Sequence, residues 1–271
     1  MVCDLCGHSV WSEYSKRLVV CQVCKLVVAK EKYFKFDIDK VYSKKYFKGG
    51  EYLDYEEEKT DLLSNFNNRL EQILKYKKSG KLLDIGASYG YFCEAAKNHF
   101  NVAGIDVSKD AVEEAKKAGL KVECGDYLNK KYVKKFDLIT MWDTVEHLIS
   151  PDKYFKKVYS DLEKNGILVL TTGDVATLLP KIQKDNWRLI HPPTHLYYFS
   201  KQTMLAMLEK NGFEAVKFSY PVIWRSLGQI LYLSFFKKYD QKGNWAKYFA
   251  KLKINIPLNT FDIMFVIARK K

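Results

Sequence analysis

The sequence predicts an α/β fold, an open and mostly parallel sheet fronted by a small module held together by metal. Three observations predict it. From Lys81 onward, short apolar runs broken by glycine alternate with segments whose apolar residues recur at helical spacing, the pattern of strands crossed by helices. One strand-to-helix turn carries glycines at 86 and 90, and an acid follows the next strand. Two Cys-x-x-Cys pairs stand near the start of the chain.

In chain order, Cys3-x-x-Cys6 and Cys21-x-x-Cys24 are knuckles separated by fourteen residues. Four thiolates so spaced close a tetrahedral site, read as structural zinc because every position is filled by protein; iron takes the same ligands, and disulfides are the competing reading. Residues 1–30 are too few to bury a core of their own, so metal binding supplies the folding free energy they lack. His8, inside this ribbon, reads as a surface residue. Residues 31–80 are a linker with helices. Lys30–Glu58 is charged and tyrosine-rich, broken by Gly49-Gly50, with a short helix expected over the mouth of the site. Thr60–Lys78 places Leu62, Leu63, Phe66, Leu70, Ile73 and Leu74 on one stripe, a helix that packs on the sheet just before its first strand.

Lys81–Ile85 then reads as a buried strand, Tyr91–His99 as a helix and Val102–Ile105 as the next strand. Gly86 and Gly90 allow backbone dihedrals that a side chain forbids, and the new helix turns its free N–H groups toward a ligand. Asp106 follows at the distance where an acid accepts hydrogen bonds from ribose hydroxyls. The turn is Asp-x-Gly-x-x-x-Gly, without the third glycine of a dinucleotide fingerprint and with Asp84 expected at its mouth, where a carboxylate repels pyrophosphate and attracts ammonium.

These residues resemble the first motif of class I S-adenosylmethionine-dependent methyltransferases, with Ser88 where many members have glycine. The resemblance implies a Rossmann-like sheet of seven strands, the last one antiparallel, over residues 81–271. It implies S-adenosyl-L-methionine as cofactor: Asp84, Gly86, Ala87, Ser88 and Gly90 around its methionine moiety, and Asp106 with Val107 at the ribose. Gly86-Ala87-Ser88-Tyr89-Gly90 also spells Gly-x-Ser-x-Gly, the nucleophile elbow of α/β-hydrolases, with Asp174 and His191 or His195 following in hydrolase order. Against that reading, nothing before Lys81 supplies the strand-rich half-domain that such an elbow follows.

Ser108 is expected to cap a helix through Ala118, and Lys121–Gly125 is the third strand, ending at Asp126-Tyr127. The resemblance places Asp126 on the adenine amino group and Tyr127 against its ring. Phe136–Met141 is the fourth strand and delivers Trp142-Asp143-Thr144-Val145-Glu146-His147 to the carboxyl edge of the sheet, where open α/β folds bind ligands. Trp142 and Asp143 are expected at the cofactor. Asp143-x-x-Glu146-His147 resembles the metal-binding Glu-x-x-Glu-His of some quinone-pathway and small-RNA methyltransferases, while His147 as a base or substrate orienter is the other reading.

Asn165-Gly166 turns into the fifth strand, Ile167–Thr172. The long loop from Val175 to Ser200 carries Trp187, His191, Pro192, Pro193, His195 and Tyr197-Tyr198, and long loops at a ligand edge hold function. Phe213–Tyr220 and Phe261–Ala268 are the last two strands, with a helical insertion at about 221–258 marked by Ile223, Leu227, Ile230, Leu231 and Ser234. This insertion reads as a substrate lid, a dimer face, simple packing, or a peripheral membrane contact through 223–253. Cys93 and Cys124 read as small buried hydrophobes.

The net charge of +13 comes almost wholly from lysine. Arginine is the better phosphate fork, so nucleic-acid recognition is discounted. No apolar run is long enough to cross a bilayer and no signal core opens the chain, which points to a cytoplasmic protein with reduced thiols. A zinc ribbon ahead of such a domain looks like the methyltransferases of surface-polysaccharide and deoxysugar gene clusters. The expected activity is methyl transfer to a small-molecule, glycan or lipid-linked acceptor, at oxygen, with His147, His191 and His195 as candidate proton acceptors. The rivals are a protein or RNA methyltransferase whose ribbon reads its substrate, and a non-catalytic binder of the cofactor. The oligomeric state is left open.

Overall fold

The computed structural model describes residues 1–37, 59–231 and 254–271, together with Val41 and Tyr248. Of Lys30–Glu58, where a short helix is expected, the described part holds a 3-10 turn at Glu31–Phe34; the rest of that segment apart from Val41, and residues 232–253 of the insertion apart from Tyr248, lie outside the described residues.

The cysteine module contributes three short strands, β1 (Trp11–Glu13), β2 (Leu18–Cys21) and β3 (Val27–Ala29). Helix α1 (Lys59–Leu74) buries Phe66, Leu70 and Ile73 from the expected stripe. The alternation that follows is β4 (Lys81–Ile85), α2 (Tyr91–Ala96), β5 (Asn101–Asp106), α3 (Lys109–Lys117), β6 (Val122–Cys124), β7 (Phe136–Trp142), α4 (Pro151–Asp161) and β8 (Leu162–Gly173). Then come α5 (Leu178–Gln183), β9 (Tyr197–Tyr198), α6 (Lys201–Lys210), β10 (Phe213–Ser219), β11 (Ile223–Ser226), α7 (Leu227–Leu231), β12 (Asn255–Leu258) and β13 (Ile263–Lys270). The cap at Ser108 is present, its Oγ accepting from Ala111 N, and Ser200 opens α6 with a reciprocal box through Thr203.

The main sheet has seven strands in the order β10-β13-β8-β7-β4-β5-β6. β4, β5, β6, β7 and β8 pair in parallel, and β13 runs antiparallel to both its neighbours. The chain lays down β4, β5 and β6 toward one edge, then crosses back to β7 on the other side of β4. That reversal opens a crevice outside the carboxyl ends of β4 and β7. Ile85 and Trp142 end these strands, so the two motifs read from the sequence meet there.

Two arrangements differ from expectation. The insertion at 221–258 opens and closes as an antiparallel strand pair, β11 with β12, rather than as a purely helical hairpin. Ile223 and Trp224 favour extended backbone, and Asn65 of α1 clamps Trp224 by donating to its carbonyl at 2.9 Å and accepting from its N–H at 2.8 Å. The second is β9, which the sequence reads as loop. It adds to the cysteine module as the fourth strand in the order β1-β2-β3-β9. The module's Leu18, Leu26, Val27 and Val28 consequently share one core with Leu196, Phe199, Met204 and the sheet residues Ile139 and Leu168.

Candidate functional site

The turn after β4 is built from left-handed backbone. Gly86 and Gly90 both have φ 77°, and a Cβ on Gly86 would run into Thr144 Oγ1. Glycine is therefore required there by conformation and by space. Ser88 adopts φ 50° in the same turn, a region glycine enters more readily, and its backbone N–H donates to Asp106 Oδ2 at 2.8 Å. Ser108 N donates to Asp106 Oδ1 at 2.8 Å. Asp106 is thus fixed in orientation by two amides, half-buried at the end of β5, with burial pushing its pKa up. Ala87 is buried against Gly104, and Val107 is half-buried beside Asp106. Thr144 Oγ1 contacts the carbonyls of Ile85 and Trp142 at 3.2 and 2.9 Å, tying the ends of β4 and β7 together.

Asp84 is not at the mouth of the turn. It is 1 % exposed and accepts from Thr140 Oγ1 at 2.6 Å, and burial raises its pKa to about 7. The alternation of β4 turns this side chain into the core, where its hydrogen bond from Thr140 links β4 to β7. Tyr127 likewise departs from expectation. Its ring is buried beside Tyr132 and Tyr154, and its hydroxyl donates to Asp161 at 2.7 Å. Asp126 caps the turn at Leu128 N and accepts from Tyr154 at 2.5 Å. Trp142 is packed between Phe92 and Phe265. Asp143, by contrast, has φ 46° and a side chain 43 % exposed. Arg69 of α1, which sequence reasoning did not single out, lies 4.0 Å from the Asp143 carboxylate with its guanidinium over Trp142. A lone arginine on the rim of a helical stripe gives no signal in the sequence.

The three candidate histidines are brought together. The rings of His147 and His195 are 4.5 Å apart, and those of His191 and His195 are 3.9 Å apart. His147 Nδ1 donates to the Thr194 carbonyl at 2.9 Å, and His195 Nδ1 donates to the Leu189 carbonyl at 2.9 Å. Carbonyl partners fix the protonated nitrogen, leaving Nε2 of His195 as its acceptor atom. Burial lowers the His147 pKa to about 3 and takes His195 well below the usual range. Both are neutral at pH 7. Glu146, in the 3-10 turn Val145–His147, is buried with Oε2 lacking any hydrogen-bond partner, and burial raises its pKa well above the ordinary carboxylate range. It lines a cavity of about 10 Å³ with His195, Trp187 and Tyr198, room for roughly one water-sized occupant. One ligand atom each from Glu146, His147 and His195 lie within 4.8 Å of one another.

Ser88 does not form a hydrolase triad. Its Oγ is buried without a hydrogen-bond partner, while His191 Nδ1 is engaged with Thr194 Oγ1 and His195 Nδ1 with the Leu189 carbonyl. Asp174, the acid that reading needs, is spent on Ala176 N and Tyr220 Oη.

At the far side of the histidine loop the four cysteines converge. Cys3 and Cys24 Sγ atoms are 3.4 Å apart, those of Cys6 and Cys21 are 3.5 Å apart, and all four lie within 4.8 Å of one another. These are free thiols, too far apart for disulfides. A tetrahedron with bonds of about 2.3 Å has sulfur–sulfur edges of about 3.8 Å, so the set fits zinc. Amides of Leu5 and Cys6 are directed at Cys3, whose pKa burial still raises to about 11, and those of Val23 and Cys24 at Cys21, where burial is outweighed by these hydrogen bonds and the pKa falls to about 7.

A family model described as a methyltransferase domain matches residues 54–217. The ubiquinone biosynthesis O-methyltransferase of Pelagibacter ubique is 30 % identical over 178 residues, covering 57 % of this chain and 72 % of that protein. The enzyme of the same name from Coxiella burnetii is 27 % identical over 158 residues, covering 50 % of this chain and 67 % of its own. Among solved structures, a SAM-dependent methyltransferase from Archaeoglobus fulgidus superposes with a TM-score of 0.54 at 21 % identity, over 77 % of this chain and 94 % of that one.

Proposed function

The chain belongs to the S-adenosylmethionine-dependent methyltransferases, and from that premise we infer that it methylates a hydroxyl of a small-molecule acceptor, free or carried on a glycan or lipid. The observation that carries the acceptor side is the partnerless carboxylate oxygen of Glu146 in a cavity shared with His195, with His147 alongside. Relatives named for O-methylation in ubiquinone biosynthesis support oxygen as the target atom and a small molecule as its bearer.

The donor's sulfonium methyl is already activated, so the protein's task is to align an acceptor oxygen behind it. In this reading the Gly86-Ala87-Ser88-Gly90 turn takes the methionine moiety, Asp106 and Val107 the ribose, and Asp126 the adenine edge, while Asp143 and Arg69 border the amino-acid head group. Glu146 accepts the hydroxyl proton, and the neutral imidazoles of His147 and His195, with the His191 ring beside them, orient the acceptor. Zinc in the four-cysteine ribbon is structural. The free thiols favour a cytoplasmic location, where they stay reduced. Membrane-peripheral contact through 223–253 and a place in surface-polysaccharide synthesis belong to the same proposal.

Labelled donor incubated with fractionated extract tests it. Label is expected in a small-molecule, glycan or lipid fraction, with Glu146→Gln reducing transfer by about 10²–10⁴-fold and leaving donor affinity intact. Label confined to protein or RNA would favour the rival in which the ribbon reads a macromolecule, and undiminished transfer by Glu146→Gln would remove the proposed base.

A second reading has its own support. The same three side chains suit a divalent cation, which would polarise the acceptor oxygen. The mutual 4.8 Å limit and the one-water cavity favour Glu146, His147 and His195 as its ligands. Asp143 is turned toward Arg69 and is outside that set. Metal analysis of wild type against Glu146→Gln, with the ribbon zinc as internal standard, separates the two readings: a second metal equivalent, lost in the variant, supports the cation.

A further inference from the structure

We propose that the four-cysteine ribbon positions the acceptor side of the site, its third strand holding the loop of His191 and His195 so that metal at the thiolates governs Glu146, His147 and His195 but not the donor turn. The assignment of that cluster to the acceptor rests on the function proposed above; the mechanical coupling does not.

The coupling is carried by short backbone links. β9 is two residues long, and its sheet partner is β3, with Val27 opposite Tyr198 and Val28 opposite Tyr197. A strand of that length has no stability of its own. Ala29 N donates to the Leu196 carbonyl at 2.8 Å, while Leu196 N donates to the Glu146 carbonyl at 2.8 Å. One residue therefore bridges the ribbon strand to the backbone of Glu146, and it is the neighbour of His195. Arg17 adds a second link, Nη1 donating to the Ile190 carbonyl at 2.9 Å. Ile190 adjoins Leu189, whose carbonyl receives His195 Nδ1. Phe34 packs edge-on against Tyr197 at 5.9 Å.

The other end of the ribbon is anchored too. Asp4, within the first knuckle, accepts from Ser150 Oγ at 3.0 Å, and its carbonyl accepts from Lys210 Nζ at 2.6 Å. The ribbon is thus a bracket from α4 and α6 to the histidine loop. The metal closes that bracket, because Cys24 lies three residues before Val27 and its partner Cys3 adjoins Asp4. The donor turn is held differently. Gly86 N to Ile105 O, Ser88 N to Asp106 and Thr144 Oγ1 to Ile85 O all lie within the main sheet and its loops. Opening the bracket releases one half of the site and spares the other.

The full-length, zinc-loaded chain is stripped with a chelator under reducing conditions, and amide hydrogen exchange is followed beside calorimetric S-adenosylmethionine binding. Exchange over residues 26–29 and 187–199 is expected to accelerate about tenfold or more. Residues 82–90 and 103–108 should not change, and the donor Kd should stay within about threefold. Unchanged exchange at 187–199, or equal acceleration in both regions, overturns the proposal. Arg17→Met leaves the thiolates in place and is expected to keep its zinc while exchange at 187–195 rises about tenfold; no rise there also overturns it. These readouts need no turnover. If they hold while Glu146→Gln transfers methyl normally, the acceptor assignment fails and the bracket stands.

Discussion

Asp106 and Asp84 are carboxylates one strand apart in different surroundings. Asp106 is half-buried and oriented by two amides, and is the acid proposed for the ribose hydroxyls. Asp106→Asn keeps the shape but removes a charged acceptor, so donor affinity measured by calorimetry is expected to fall about 10–100-fold with the fold intact. Asp84 is buried, with its pKa raised to about 7 by desolvation first. A carboxyl whose folded pKa lies above its unfolded value of about 3.9 binds its proton more tightly in the folded state. Its stabilising contribution is full below that unfolded value and is lost as pH rises through about 7. Thermal melts from pH 5 to 8 should therefore show a decline in the wild type that Asp84→Asn flattens; equal slopes would show that Asp84 is ionised throughout. The sequence displayed both acids at their motif positions, but which one faces the ligand depends on the side of β4 and β5 each occupies.

At the scale of elements, the turn from β4 to α2 is fixed by glycine and by what crosses above it. Gly86→Ala would place a methyl group in Thr144 Oγ1 at φ 77°. The strained backbone alone costs about 1–2 kcal/mol. Donor binding should be lost and the chemical denaturation midpoint lowered; a variant that binds normally would show that Thr144 gives way to the added methyl group. The helix over Lys59–Leu74, the cap at Ser108 and the parallel strands were legible because each is written in local residue spacing. β9 was not. Tyr197-Tyr198 has no alternation long enough to read, and its partner β3 is supplied from far away in the chain. The same reason hid the strand pair β11 with β12, whose halves flank residues 232–253.

Across the whole molecule, the chain order of the strands and the place where it reverses put both motifs at one crevice. The core then runs without a break from the cysteine ribbon into the sheet. By itself the sequence determined the α/β class, the glycine turn after β4 with Asp106 at the end of β5, the four thiols and the presence of histidines on the loop that follows β8, because glycine conformation, ligand spacing and hydrophobic period are properties of neighbouring residues. Only the tertiary structure decided that His195 joins Glu146 and His147 while Asp143 turns to Arg69, that Asp84, Tyr127 and Trp142 turn inward, and that β3 of the ribbon pairs with the histidine loop. Those outcomes rest on which distant segments share a core and which backbone groups pair across it, and a linear pattern holds no record of either.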